Sequence, residues 1–199
     1  MEIPSPLQLT QRAEPFDDPN WIYEIKHDGF RALAVIERGQ CRLFSRKKHK
    51  LYGFRTLRER LVKEINADTA ILDGELGVTD HLGRTVFAFL MKRHHQIRYF
   101  AFDLLWLNGM DLRALPVIKR KEQLKRILPT SSPHILYVDH VKGAGRRLYS
   151  LACQLDLEGI VAKPANSRYE DPPGRGWIKI NKPAYSQKEG RGDLFKRTG

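Results

Sequence analysis

Apolar and polar residues alternate along two stretches near the start of the chain, and this alternation predicts half-buried β-strands. The stretches are "WIYEIK" at 21–26 and "RALAVIE" at 31–37. The next residues, "ERGQ", predict a hairpin turn in which Gly39 supplies the positive φ, followed by a strand over "CRLFS". A further strand is predicted over "TAILDGELGV". The nearly continuous apolar run "IRYFAFDLLWL" at 97–107 predicts a central strand of a sheet.

Three stretches predict helices, either because their apolar residues are spaced along one helix face or because prolines mark their ends. They are 53–65, 117–128 (which begins just after Pro116 and stops before Pro129) and 144–157. "EGIVAKP" and "GWIKI" predict short strands, and "AYSQKEGRGDLFKRTG" reads as a polar tail. The pattern therefore predicts an α+β fold in one domain, residues 1–185, with a C-terminal tail over 186–199.

Charge and composition narrow the class of partner. The 199-residue chain carries 35 basic and 23 acidic residues, a net charge of +12. Such an excess points to a polyanion, most often nucleic acid. An acidic membrane surface is the other interpretation, but no apolar run approaches the ~20 residues of a membrane span, and the N-terminus lacks signal-peptide features. Cys41 and Cys153 are isolated, so we expect no zinc site or disulfide framework and a reduced, intracellular protein.

Candidate chemistry is concentrated in "IYEIKHDGFRA", where a strand ends in Lys26. A lysine amine is a nucleophile only when neutral, and the apolar strand before Lys26 would disfavour the ammonium form. The Asp28–Gly29 pair permits a sharp turn, so that Arg31 could point back toward Lys26. The competing interpretation is a solvated strand end with an incidental Asp-Gly turn.

Companion segments in a fixed order favour the first interpretation. They are "KHDGFR" (26–31), "FSR" (44–46), "LDGEL" (72–76), "FDLL" (102–105), "LEGIVAKP" (157–164) and "WIKINKP" (177–183). Together they resemble the motifs of the adenylation domain of ATP-dependent DNA ligases, within the covalent lysine nucleotidyltransferase superfamily. With "PFDDPNWIYE" before the first motif, the chain is most similar to the ligase domain of bacterial end-joining ligase D. The resemblance extends over residues 14–185.

The resemblance implies a fold and a set of site residues. The implied fold is an ATP-grasp-like nucleotidyltransferase fold, in which antiparallel sheets flanked by helices enclose a nucleotide pocket. Lys26 would be the residue that becomes adenylylated, and the nucleotide would be ATP, used with Mg²⁺ or Mn²⁺. The remaining implied nucleotide contacts are Glu24 (adenine amino group), Arg31 (sugar), Arg46 (ribose or phosphate), Glu75 (ribose hydroxyl), Phe102 (stacking on adenine), and Lys163 and Lys179 (phosphates). Glu158 would hold the metal, because a hard cation prefers oxygen ligands.

Two departures from the family pattern concern the C-terminal region. The last of these segments, "WIKINKP", resembles the family's fifth motif, which usually has a second lysine two residues after the first. Here Asn181 stands at that spacing after Lys179, and Lys182 comes one residue later. Strand alternation then predicts that Lys182 points away from Lys179 unless a bulge intervenes. Family ligases also continue into an OB-fold domain, and the residues after Lys182 are too few for one, so we expect no OB-fold domain here.

These observations predict an ATP-dependent polynucleotide ligase that binds nicked double-stranded DNA. Basic side chains at Arg46, Lys47, Lys48, Lys50 and Lys182 are candidate phosphate contacts, as is "GRGDLFKR" at 190–197, although a charge run is usually a solvated face. We expect a monomer in the bacterial or archaeal cytoplasm, near the nucleoid, with no membrane association and with other repair proteins as further partners. Alternatives are an RNA ligase or capping-type nucleotidyltransferase, and a non-catalytic module that binds nicked DNA.

Overall fold

The computed structural model describes residues 2–92, 96–169 and 176–188, and within them the predicted α+β fold is confirmed. The helices are α1 (Arg55–Glu64), α2 (Phe87–Lys92), α3 (Val117–Ile127) and α4 (Gly145–Gln154). The strands are β1 (Thr10–Gln11), β2 (Trp21–Ile25), β3 (Phe30–Glu37), β4 (Gln40–Ser45), β5 (Lys50–Leu51), β6 (Ala70–Gly77), β7 (Arg98–Leu107), β8 (Met110–Asp111), β9 (Ile135–Tyr137), β10 (His140–Lys142), β11 (Gly159–Pro164) and β12 (Ile178–Asn181). A 3-10 turn, Ser186–Lys188, follows β12.

The strands form two mostly antiparallel sheets. One has the order β1-β12-β11-β2-β10, and the other has the order β5-β4-β3-β6-β7-β8 with β9 paired to β7. Only the pairs β1–β12 and β7–β9 are parallel among the strands described. The chain therefore crosses from the first sheet to the second at the turn between β2 and β3, which contains the "KHDG" sequence.

Three hydrophobic clusters separate the layers. One lies between the seven-stranded sheet and helices α1 and α3, with Leu57 and Leu124 among its members. A second lies between α4 and the five-stranded sheet and includes Ala152 and Ile160. The third joins the two sheets and includes Trp177. The layer order is thus helices, sheet, inter-sheet core, sheet, helix.

The predicted hairpin after β3 is confirmed in detail. Glu37 pairs with Gln40 across a two-residue turn. Both turn residues, Arg38 and Gly39, have positive φ, at 52° and 67°. This is the geometry of the turns that match the right-handed twist of a hairpin.

The three predicted helices are confirmed and begin or end one to three residues inside the expected ranges, as α1, α3 and α4. The pattern missed the six-residue helix α2 and five short strands of only two or three residues each: β1, β5, β8, β9 and β10. So short a strand has too few positions for apolar alternation to stand out. Of the predicted tail, Ser186–Lys188 form the 3-10 turn, and residues 189–199 lie outside the described residues. No helix in the described ranges is long and apolar enough to span a membrane.

Candidate active site

Alternation along the five-stranded sheet sorts its side chains onto two faces. Tyr23, Ile160 and Ile180 pack in the cluster under α4. Their strand neighbours therefore face the other way, toward the second sheet. Glu24, Val161 and Lys179 are aligned across the three central strands on that inner face.

A second row on the same face begins with Lys26. Its backbone N–H donates to the Gly159 carbonyl at 3.0 Å, and Gly159 pairs with Asn181 on β12. Lys26, Gly159 and Asn181 thus form one row, two residues along the strands from the row of Glu24. Asn181 is on the face of Lys179, as strand alternation predicts.

The Lys26 side chain is paired with Glu158, the residue just before β11. Its Nζ lies 2.5 Å from Glu158 Oε2, and the two side chains are 22% and 11% exposed. Lys26 is therefore held in place yet still open to a ligand. The structure brings together the predicted nucleophile and the predicted metal ligand.

The turn after Lys26 is held by side chains that come from before α2 and after β12. The backbone N–H of Asp28 donates to Thr85 Oγ1 at 2.9 Å, and the Tyr185 hydroxyl donates to Asp28 Oδ2 at 3.1 Å. A Cβ on Gly29 would lie 1.9 Å from the Leu76 carbonyl oxygen, so only glycine fits there. The "DG" sequence therefore serves both the bend and the close approach of β6.

Glu75 lies on β6, where it interacts electrostatically with both Lys26 and Glu158. Burial raises the pKa of Glu75 from 4.5 to about 8, more than the cations Lys26 and Arg31 lower it, and the Glu158 carboxylate adds to the rise. Two carboxyl groups thus lie near the nucleophile, and with a pKa of about 8 Glu75 is mostly protonated near neutral pH.

Arg31 is held by an acid that the sequence analysis did not single out. Its Nε and Nη2 donate to Asp73 Oδ1 and Oδ2 at 3.1 and 2.7 Å, a bidentate pair. The Tyr169 hydroxyl donates to the same carboxylate at 2.6 Å. Arg31 also donates to the Leu7 carbonyl. The N-terminal segment is thereby tied to this side of the site.

Glu24 lies in a buried cluster with two lysines. Lys121 Nζ on α3 is 2.6 Å from Glu24 Oε1, and Lys163 Nζ on β11 is 2.6 Å from Oε2. Although burial acts to raise the pKa of Glu24, the two ammonium groups keep it below its ordinary value. Burial lowers the pKa of Lys163 from 10.5 to about 8, against the attraction of Glu24.

Two aromatic rings line the same end of the site. The rings of Phe102 and Trp177 meet edge-on with centroids 6.0 Å apart, and Trp177 is almost wholly buried. Lys163 Nζ lies 4.8 Å from the Phe102 centroid and 3.8 Å from that of Trp177. Lys163 therefore lies beside Glu24 and the rings, two rows from Lys26.

The remaining predicted residues lie farther from this cluster. Arg46, Lys47 and Lys48 are on the exposed connection from β4 to β5, and Lys50, also exposed, is the first residue of β5. Lys182 follows β12, and its Nζ is 2.5 Å from Asp156 Oδ1 and 3.3 Å from the Cys153 carbonyl at the end of α4. The candidate segment 190–197 lies outside the described residues.

Sequence reasoning missed Lys121, Asp73 and Trp177. Lys121 belongs to an amphipathic helix, where a lysine is normally solvated, and nothing in the local pattern distinguishes it. Asp73 and Trp177 do lie inside the quoted motifs, next to the residues singled out there. Their proximity to Glu75 and Lys179 was the available signal.

The donors near Lys26 suit a hard divalent cation. Glu75 and Glu158 supply carboxylate oxygens, and Mg²⁺ commonly takes one or two carboxylates and keeps several waters. No group of three or more His, Cys, Asp or Glu side chains with metal-binding geometry occurs among the described residues. The mutual repulsion of the two acids is what a cation would relieve.

Comparison with known proteins agrees with this geometry. The family model "ATP dependent DNA ligase domain" matches residues 8–181. The chain is 32% identical over 183 residues to the SPbeta prophage-derived DNA ligase-like protein LigB of Bacillus subtilis, a match covering 88% of this chain and 66% of that protein. It is 33% identical over 185 residues to the multifunctional non-homologous end joining protein LigD of Pseudomonas aeruginosa, covering 90% of this chain and 21% of LigD.

Solved structures of DNA ligases also share this fold. The ligase domain of M. tuberculosis LigD superposes with a TM-score of 0.73 at 25% identity, over 88% of this chain and 60% of that one. A mycobacterial DNA ligase D complexed with ATP and MES gives a TM-score of 0.70, also at 25% identity, over 87% of this chain and 60% of that one. This chain thus spans just under two thirds of LigB and about a fifth of LigD. It belongs to the ATP-dependent DNA ligase domain family.

Proposed function

We propose that the chain catalyses ATP-dependent ligation of nicked DNA through a lysyl-AMP intermediate. The neutral Lys26 amine attacks the α-phosphorus of ATP. A P–N bond forms and the bond from the α-phosphorus to the oxygen that bridges it to the β-phosphorus breaks. Pyrophosphate leaves with that electron pair, and the lysine nitrogen gives up a proton to solvent. An oxygen of the 5′-phosphate at a nick then attacks the phosphorus of the bound AMP; a P–O–P bond forms, the P–N bond breaks, and the departing Lys26 amine takes up a proton. The 3′-hydroxyl then attacks the 5′-phosphate, forms the phosphodiester, displaces AMP and releases a proton.

The observation that carries this proposal is the pairing of Lys26 with Glu158 in a partly open site. The 2.5 Å contact fixes the amine at one point of the inner face, and orientation of this kind supplies much of the rate of a transfer reaction. The carboxylate is also a group to which the ammonium proton can pass.

The inner face offers separate contacts for the parts of the nucleotide. Asn181 and Lys179 lie in the row of Lys26 and the next row, where they would contact the phosphates. Glu24 lies in the row of Lys179, but on β2, and Phe102 and Trp177 lie farther along; these three side chains would contact the base. Arg31, oriented by Asp73, would contact the sugar. Lys163 lies with the base contacts, so a phosphate role for it would require its side chain to leave Glu24.

Glu75 and Glu158 would hold Mg²⁺ or Mn²⁺. When bound, such an ion neutralises phosphate charge and polarises the α-phosphate for attack. Glu158 would then be shared between the ion and the Lys26 amine, with which it is paired here. Protonation of Glu75, whose pKa is about 8, would weaken the site near neutral pH.

Duplex DNA is the proposed substrate because the chain is strongly basic, with a net charge of +12. The exposed residues Arg46, Lys47, Lys48 and Lys50 would contact phosphates, with Arg46 also within the family's nucleotide motif. Lys182 would contribute only if it left Asp156. We further propose that residues 1–185 act as the adenylation domain, that 186–199 form a tail, and that the protein works as a monomer with other repair proteins in the bacterial or archaeal cytoplasm.

Nick sealing tests the proposal directly. A duplex with one 5′-phosphorylated nick is incubated with the protein, ATP and Mg²⁺, and the joined strand is resolved on a denaturing gel. The proposal predicts joining that requires ATP and is lost in Lys26→Arg, which keeps the charge but offers no neutral amine. Joining by Lys26→Arg at the wild-type rate would contradict it.

A second candidate function is nicked-DNA binding without turnover. Asn181 favours it, because the fifth motif lacks its usual second lysine and Asn181 Oδ1 is buried with no hydrogen-bond partner among the described residues. This candidate predicts nick binding without joining. A capping-type nucleotidyltransferase would label with GTP, and an RNA ligase would prefer a nicked RNA strand.

A further inference from the structure

The buried cluster around Glu24 contains a lysine that belongs to none of the six motifs. Lys121 lies on α3 and is completely buried, with Glu24 and Lys163 buried almost as fully. A buried ammonium group is costly unless it is paired. Lys121 pairs with Glu24 and donates to the Val138 carbonyl at 2.8 Å.

The position of Lys121 is set by rigid surroundings. The preceding residue, Arg120, forms a fully buried bidentate pair with Asp103 on β7, with N–O distances of 2.9 and 2.8 Å. Lys121 Nζ also lies 3.4 Å from the carbonyl of Phe102 and 4.5 Å from the ring of Tyr137. These contacts hold the Lys121 ammonium group in one position, from which it contacts Glu24 Oε1.

The cluster keeps unused hydrogen-bonding capacity. Glu24 Oε1 lies 2.6 Å from Lys121 Nζ but has a second lone pair, and Lys163 Nζ has three N–H donors. Neither atom makes a well-aligned hydrogen bond to a described residue. They form an adjacent acceptor and donor, both buried, beside the rings of Phe102 and Trp177. An adenine edge presents the complement, an amino donor next to a ring-nitrogen acceptor. Guanine presents its 6-oxo group, an acceptor, where Glu24 requires a donor.

We propose that Lys121 is a positioning residue for base selection, which acts by keeping Glu24 ionised and oriented so that the site prefers adenine over guanine. The proposal rests on the proposed use of a purine nucleotide and deepens it. Without Lys121, Glu24 would turn toward Lys163 with both oxygens. In that buried place it would also protonate more readily, and the resulting carboxylic acid can donate to a 6-oxo group.

Base selection can be measured from nucleotide binding alone, without the adenylylation reaction. The wild type, Lys121→Met and the control Lys125→Met are compared by thermal unfolding with increasing ATP or GTP, since a ligand stabilises by RT ln(1 + [L]/Kd). Lys125 is one turn farther along α3 and exposed, 70% at its side chain. We expect Lys121→Met to bind ATP at least about tenfold more weakly and GTP within about threefold of the wild type, with Lys125→Met unchanged.

The labelling reaction separates positioning from a general loss of activity. With α-labelled ATP in a single turnover, Lys121→Met should raise the ATP concentration that gives half the maximal labelling rate about tenfold. It should leave the maximal rate constant within about threefold, because Lys121 does not touch the reacting atoms. A wild-type ratio of ATP to GTP affinity in folded Lys121→Met would overturn the proposal. Absence of any labelled wild-type protein would count against the ligase function, while the binding comparison would still decide base selection.

If Lys121→Met does not fold, a double variant provides an alternative test. Glu24→Gln/Lys121→Met removes opposite charges together and so avoids leaving either group buried alone. If Lys121 acts through Glu24, the double variant should show the same ATP to GTP ratio as Glu24→Gln alone. A further change of more than about threefold on adding Lys121→Met would overturn the proposal.

Discussion

Replacement of Glu75 by glutamine should stabilise the fold, and more so at alkaline pH. Burial holds the pKa of Glu75 at about 8 instead of 4.5. The folded protein therefore binds this proton more tightly than the unfolded chain does. Its contribution to stability is fully present below pH 4.5 and is lost as the pH rises to about 8. Glutamine has a similar shape and no charge to bury.

The size of the effect follows from the two pKa values. Each pH unit within the window corresponds to about 1.4 kcal/mol, which gives an upper limit of about 5 kcal/mol. Glu75 remains partly accessible to water, and Lys26 and Arg31 partly compensate its charge. We therefore expect the free energy of unfolding of Glu75→Gln, relative to the wild type, to rise by about 2 kcal/mol between about pH 5 and pH 9.

Urea unfolding at the two pH values measures this change, because the difference between variant and wild type cancels the titration of all other groups. Glu59→Gln is the control, since Glu59 is an exposed helix residue whose side chain is 63% exposed. It should show the same difference at both pH values. Equal differences for Glu75→Gln at both values, or a larger one at acidic pH, would refute the reasoning. Labelling of Lys26 should fall in the same variant, because the metal would lose a ligand.

Other variants test separate parts of the structure. Asn181→Lys should speed adenylylation measurably, because it adds a cation in the row of Lys26. Lys182→Ala should barely slow adenylylation and should mostly weaken DNA binding. Loss of lysyl-AMP in Lys182→Ala would show that the Lys182 side chain turns into the site. Arg120→Met should cost about 3–5 kcal/mol in urea unfolding, because it leaves the Asp103 carboxylate buried without its partner, and a cost under about 1 kcal/mol would contradict this. Gly29→Ala should lower both stability and Lys26 labelling, because its Cβ would overlap the Leu76 carbonyl at 1.9 Å; wild-type labelling would show that the turn adapts.

The sequence predicted the long elements of this fold because each has enough positions for its period to show. β3 and β6 each have eight residues, and α3 has eleven. Their apolar sides meet in the clusters that separate the layers. The two-residue strand β1 instead depends on pairing with β12, which no local pattern reveals.

The site was predictable where chemistry and spacing coincide in one motif. The pairing of Lys26 with Glu158 joins residues 132 positions apart, and the motif order indicated both. The position of Lys163 was harder to foresee. Being four residues along β11 from Gly159, it stands roughly 13 Å along the strand from the row of Lys26, beside Glu24 and not among the phosphate contacts. Lys121 could not be found from sequence, because its burial depends on how α3 packs against β7.

Mapping of the covalent adduct tests the central claim most directly. The protein is incubated with α-labelled ATP and Mg²⁺, digested, and searched by mass spectrometry for a peptide carrying AMP. Our account predicts a single modified residue, Lys26, release of the label when pyrophosphate or nicked DNA is added, and no adduct in Lys26→Arg. An adduct on another residue, or one that persists in Lys26→Arg, would contradict it.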